Sequence, residues 1–190
     1  MPLFITVFSA AAALLFYTVS TREKDNLVYI QGIFNAFLPL IFIGFRKILK
    51  KEIPIIIDFA AAIYIVLASN FGTTLSFYGK FPFWDLFMHG LFGLVAALVL
   101  YILIVPLLKD KAWNIGFLSV QFLAVMGAAA LWEIFEYTSD IILGGDTQRV
   151  QVSISEGVNP VKDTMTDIII TAAGFFLFHI GLYIKKKAAK

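Results

Sequence analysis

The stretch Phe117–Asp140, FLSVQFLAVMGAAALWEIFEYTSD, decides how this chain is read. No charge occurs between Lys111 and Glu133, and three carboxylates (Glu133, Glu136 and Asp140) then follow in quick succession. An uncharged apolar run of that length suits a helix crossing hydrocarbon, since roughly 20 residues span a bilayer core. Acidic groups gathered at the end of such a run need a reason.

Composition agrees with a membrane setting. Hydrophobic residues make up 60% of the 190, charged residues 15%, and the mean hydropathy is +0.87. A soluble domain is about a quarter charged, so a water-soluble fold is excluded. With no cysteine, disulfides, Cys-ligated zinc and iron–sulfur clusters are excluded too. The net charge of +2 is no nucleic-acid footprint, because the basic residues sit in short loops between apolar runs.

Working outward, six spans are expected: Leu3–Ser20, Leu27–Phe45, Ile53–Phe71, Leu86–Leu108, Trp113–Tyr137 and Thr164–Ile184. Helices are the default, because backbone polar groups in lipid must be satisfied internally and these runs lack the alternation of a barrel strand. The first span has no basic n-region and no cleavage site after it, so it reads as a retained helix. Pro39 and Pro106 are expected to kink the spans they sit in or border. The prediction is an all-α polytopic helical bundle forming one integral membrane domain over residues 1–190, in a bacterial or archaeal plasma membrane.

Orientation follows from lysine and arginine. Arg46, Lys47, Lys50, Lys51, Lys109, Lys111, Lys185, Lys186, Lys187 and Lys190 fall on one side of a six-span chain; Arg22, Lys24, Lys80, Arg149 and Lys162 fall on the other. That bias places both termini in the cytoplasm. The carboxylates of the fifth span then face outward. The fourth span opens on the same side with FWDLFMHG, bearing Asp85 and His89, and the sixth with KDTMTDIII, bearing Asp163 and Asp167. Spacings of three and four put each set on one helix face.

Uncompensated, such a gathering is costly, because poorly solvated like charges repel and lose hydration. A bound cation would offset the cost, and carboxylates with one imidazole suit Mg²⁺, Mn²⁺, Ca²⁺, Fe²⁺ or Zn²⁺. Proton sharing among neutral carboxyls is the other route. The plain alternative is helix-end chemistry, with Asp163 as an N-cap and Asp85 favoured by the helix dipole. Glu133 and Glu136, placed at a C-terminal helix end, fit that alternative least. The expected metal ligands are His89, Glu133, Glu136, Asp163 and Asp167, with Asp85 orienting His89; His89, Asp85 and Glu133 are the expected catalytic groups.

Asp-x-x-x-His opening one helix, WEIFEY ending the next and DTMTDIIITAAG opening the last resemble the YjdF-like family of small bacterial and archaeal membrane proteins. The pattern is also similar to the wider VanZ-like group, some members of which are linked to glycopeptide-antibiotic resistance. The resemblance covers Phe83 to Gly174. Thr171 stands where the VanZ-like pattern tends to have asparagine, and Glu136 where it often has glutamine. Both differences favour the YjdF-like branch, from which no settled activity carries over.

The loop over residues 139–163 combines turn residues with the alternating RVQVSIS, expected as a plain connector or as a short strand folding over the cluster as a lid, with Asp146, Gln148 or Arg149 reaching in. His179 reads as a structural or interfacial histidine, Asn35 as a helix–helix hydrogen-bonding residue, and Asp58 as an interfacial or functional carboxylate. The many Phe and Tyr residues read as lipid-facing and belt residues.

Two functions compete. One is a metal-dependent hydrolase or transferase acting at the outer face on an amphiphilic, lipid-linked envelope substrate, with membrane lipids as its surroundings. The other is a cation- or proton-coupled transporter using the same acidic vestibule. Spans four and five carry almost nothing polar beyond the cluster, which favours the enzyme.

Overall fold

A computed structural model describes residues 2–20, 26–38, 40, 44, 54–105 and 114–189. Every element among them is helical. In chain order they are α1 (Pro2–Ser20), α2 (Asn26–Phe37), α3 (Ile55–Ile65), a π-helix π1 (Val66–Thr74) that continues α3, α4 (Phe77–Lys80), α5 (Trp84–Ile104), α6 (Ile115–Leu143), α7 (Val150–Ser155) and α8 (Val161–Ala188). Five stretches are long and apolar enough to cross a membrane: Leu3–Ser20, Ile55–Thr74, Trp84–Ile104, Ile115–Leu143 and Val161–Ala188. The chain is an all-α, multi-pass membrane protein. Of the second expected span, α2 supplies the beginning. Most of the remainder, with Pro39, Pro106 and the basic residues Arg22, Lys24, Arg46, Lys47, Lys50, Lys51, Lys109, Lys111 and Lys190, lies outside the described residues.

Two compact units divide the chain, Met1–Met88 and His89–Lys190, with the boundary inside the continuous helix α5. In the first unit, α1, α2, α3 and π1 pack together. Small buried residues make the close approach: Ala10 and Ala13 on α1, and Gly32 (on whose α-carbon side Leu14 lies) and Ala36 on α2. Without a hydrophobic force between helices in lipid, such small contacts and interhelical hydrogen bonds hold them. Thr6 Oγ1 donates to Ala36 O at 2.9 Å, and Asn35 Nδ2 donates to Ser69 Oγ, the helix–helix bond expected of Asn35. Asp58 lies in the first turn of α3 and is half-buried.

In the second unit, α6 and α8 present matched stripes. Phe117, Gln121, Val125, Ala129 and Glu133 are the buried residues of α6; Asp167, Thr171, Gly174, Phe175 and His179 are those of α8. The fourfold spacing is one helix face. Ala97 of α5, Val125 and Phe175 form the apolar centre. On one side of it His179 Nε2 pairs with Gln121 Oε1 at 2.9 Å, while Gln121 Nε2 donates to Ala97 O at 2.7 Å. His179 is thereby a structural histidine. Large apolar side chains such as Leu123, Phe135, Ile169, Phe176 and Ile180 are left exposed, as a lipid-facing surface requires.

Two helix ends differ from expectation. α6 runs on past Tyr137 to Leu143 and stops at Gly144, whose φ of 71° is the left-handed cap that glycine takes without a Cβ clash. Glu133 and Glu136 are therefore within a helix and not at its C-terminal end, so the dipole argument applied to them falls away. α8 starts at Val161 with Pro160 at its N-cap, which puts Asp163 in the first turn and not at the cap. The alternating RVQVSIS is also no strand: Val150–Ser155 is helix α7. Asp146 accepts from the amides of Gln151 (2.9 Å) and Val152 (3.1 Å), and satisfying those first-turn donors outweighs a weak two-residue alternation.

Candidate metal centre

α5 and α8 meet backbone to backbone. A Cβ placed on Gly93 would overlap the carbonyl of Thr171, and one on Gly174 would overlap the carbonyl of Gly90. Only glycine fits at both positions. Thr171, fully buried, turns its hydroxyl to His89 O at 3.3 Å. Close crossing one turn after Asp167 and directly after His89 sets those two side chains at the same level. His89 Nε2 lies 3.9 Å from Asp167 Oδ2, with His89 8% and Asp167 2% exposed.

Asp85 sits one turn before His89 on the same helix. One ligand atom each from Asp85, His89 and Asp167 falls within 4.8 Å of the other two. Ligands of one ion at about 2.0–2.5 Å can be at most roughly 4–5 Å apart, so a cation among the three atoms is geometrically compatible with this spacing. Two carboxylates and an imidazole are hard and borderline donors, the set that a divalent ion takes. Among the described residues this is the group of His, Asp and Glu side chains that could hold one.

The remaining expected ligands lie outside that group and have neighbours of their own. Glu133 is buried, and Gln148 Nε2 donates to its main-chain oxygen at 3.0 Å and approaches its Oε2 at 3.4 Å. Glu136 accepts from the Trp132 indole at 2.8 Å on the exposed side of α6. Asp163 faces Arg149, whose Nε is 3.7 Å away. Arg149 holds the left-handed region at φ 51°, a conformation unusual for a branched or long side chain.

Asp140, in the last turn of α6, holds the following loop and lies outside the ligand group. Its carboxylate accepts from Thr147 N (2.8 Å), Thr147 Oγ1 (2.7 Å) and Gln148 N (2.9 Å). That clamp turns the chain back after α6 and delivers Gln148 to Glu133. Gln121 was not singled out in the sequence, although a glutamine inside FLSVQFLAVM is signal enough that it must be hydrogen-bonded.

An all-helical chain with five stretches long and apolar enough to cross a bilayer is a multi-pass membrane protein. The chain belongs to the DUF2238 family, described as "Predicted membrane protein", whose pattern it matches over residues 2–188. It is similar to a protein of Thermotoga maritima described as an uncharacterized protein, being 27% identical over 175 residues that cover 90% of this chain and 83% of the other. No solved structure matches it.

Proposed function

We propose that this chain is a metal-dependent membrane hydrolase or transferase acting on an amphiphilic envelope lipid. The observation that carries the reading is the Asp85–His89–Asp167 group on apolar spanning helices. Two carboxylates and an imidazole held together by a glycine-tight crossing would bear a net negative charge in a poorly solvated place, and a divalent cation neutralises it. Asp85, His89 and Asp167 would hold such an ion, which would polarise a substrate oxygen and acidify bound water. Glu133, with Gln148 beside it, is the group we assign to proton transfer, and the segment over residues 139–163, which includes α7, is the element we assign to covering the site. The extracytoplasmic face is assigned by the lysine and arginine distribution.

Within the family we group the chain with YjdF-like proteins. Thr171, where a VanZ-like asparagine would stand, lies in the α5–α8 backbone crossing, and its hydroxyl reaches His89 O.

A transporter reading needs a polar path through the bilayer. In the second unit, Ala97, Val125 and Phe175 lie between the Asp167 level and the Gln121–His179 pair. Asp167 and His179 are roughly 18 Å apart along α8 at 1.5 Å per residue. That apolar layer favours the enzyme.

The test is reconstitution of wild type, Asp167→Asn, Glu133→Gln and Asp58→Asn, assayed for Mn²⁺ binding, for turnover of extracted envelope lipids and for cation and proton flux. Asp167→Asn is expected to lose at least about tenfold in Mn²⁺ affinity. Lipid conversion that needs Asp167 and Glu133 but not Asp58 supports the enzyme. Flux that needs both Asp167 and Asp58, with no lipid converted, overturns it.

A further inference from the structure

The first unit contains a second polar centre of different chemistry. π1 buries Ser69, Asn70 and Thr74, with Asn70 2% exposed. Nine residues of π-helix is a long run for a conformation that mostly occurs as single-turn bulges, often at functional sites. Its ladder shifts from i→i−4 to i→i−5 bonding, as in Leu75 N to Asn70 O at 3.0 Å, which re-aims main-chain carbonyls. Tyr78 packs its ring where a Cβ on Gly72 would stand, so the wide turn is closed by a side chain fitted to it.

Donors and acceptors around Asn70 do not balance. Asn70 Nδ2 donates to Ser9 Oγ (2.8 Å), Ser9 Oγ donates to Thr6 O (3.1 Å), and the Thr6 hydroxyl reaches Ala36 O and Leu3 O. Asn35 Nδ2 donates to Ser69 Oγ. One proton each from Ser9, Thr6 and the two amide groups is thus committed within the network. Asn70 Oδ1 is the clearest case: it is buried and has no hydrogen-bond partner among the described residues. A buried acceptor is normally satisfied, and Ser9 Oγ, which the nitrogen of the same amide reaches, directs its own proton to Thr6 O.

We propose that Asn70 Oδ1, with the Ser9 hydroxyl oxygen that the same amide reaches, seats a small monovalent cation inside the first unit. The residues bonded in this network are amides and hydroxyls, which matches a single positive charge; a divalent ion calls for carboxylates. Broken or re-registered helices in membranes supply such oxygens to monovalent ions. The site is distinct from the Asp85–His89–Asp167 group in donor type and does not depend on the function proposed for that group.

The experiment is thermal unfolding of the full chain in nanodiscs with NaCl, KCl or LiCl against choline chloride at equal ionic strength. Wild type is expected to gain about 4 °C in Tm, saturably, with one alkali ion preferred. Asn70→Ala and Ser9→Ala should lose the response, Asn70→Asp should reach it at lower salt, and Asp167→Asn should keep it. A wild-type Tm no different between alkali and choline salts overturns the proposal without reference to any variant. A response that survives Asn70→Ala, or an experimental density showing a water on Asn70 Oδ1 under saturating salt, does so as well.

Discussion

The two units solve one physical problem with different chemistry. Both must carry polar groups where water is scarce. Around π1 the first unit uses neutral side chains, Thr6, Ser9, Asn35, Ser69 and Asn70, tied to one another and to main-chain carbonyls. The second brings ionisable groups, His89 and Asp167, against each other and reserves a neutral pair, Gln121 and His179, for the far side of its apolar centre. Neutral networks in lipid are cheap to build and cheap to lose. Ionisable ones are expensive to assemble, so the scaffold that gathers them must be rigid. Glycine placement follows that difference, for the overlaps at Gly93 and Gly174 are with backbone whereas the one at Gly72 is with a tyrosine ring.

The contrast is broken most readily at the glycine crossing. Gly93→Leu is expected to destabilise the second unit by upward of about 3 kcal/mol, because the opposing atoms are main chain and cannot turn aside. Gly72→Ala should cost less, roughly 1–3 kcal/mol, since the Tyr78 ring can move. Gly181→Ala, with open space around it, should be neutral or slightly stabilising. Denaturation in mild detergent ranks the three, and Gly93→Leu no worse than Gly72→Ala would refute the backbone crossing.

Asp140→Ala removes three bonds to a carboxylate and should cost about 2 kcal/mol locally. Hydrogen exchange over residues 144–156 is the measurement. Faster exchange there with α1 and α2 unchanged is expected; unchanged loop protection would mean that Asp140 does not hold Gln148 in place.

Gln121→Leu takes away the partner of His179 and the donor to Ala97 O, at an expected cost of about 1 kcal/mol. A loss above about 3 kcal/mol would show that the pair is more than a neutral membrane hydrogen bond. A smaller effect is expected of Thr6→Val, which keeps the shape and deletes one hydroxyl bonded to Ala36 O. About 0.6 kcal/mol is expected, and a double-mutant cycle of Thr6→Val with Gln121→Leu should be additive, because the two lie in different units and share no partner.

Much of this organisation is written along the chain. Apolar length and the absence of charge dictate spanning helices whatever their neighbours, since lipid leaves the backbone no other partner. Spacings of four put Asp85 with His89, and Asp167 with Thr171, on single faces. Asn35 in an apolar span had to find a partner, and it did. Other features depended on contacts distant in sequence. WEIFEY ended a span by hydropathy, yet α6 continues to Leu143, and Asp140 is bonded to Thr147 and Gln148 beyond it. RVQVSIS alternates like a strand and is helical, because Asp146 satisfies its first amides. Local pattern cannot weigh such bonds.

What the sequence by itself determined is therefore the class of the protein and the faces on which its polar groups lie, because periodicity and hydropathy are properties of a single helix in its solvent. The tertiary structure alone decided which faces meet. From five carboxylates and one imidazole it brought Asp85, His89 and Asp167 within 4.8 Å of one another and gave Glu133, Glu136 and Asp163 neighbours elsewhere. The reason is steric: Gly93 and Gly174 allow α5 and α8 to touch at one level, and that contact, invisible in either helix alone, sets which side chains share a depth.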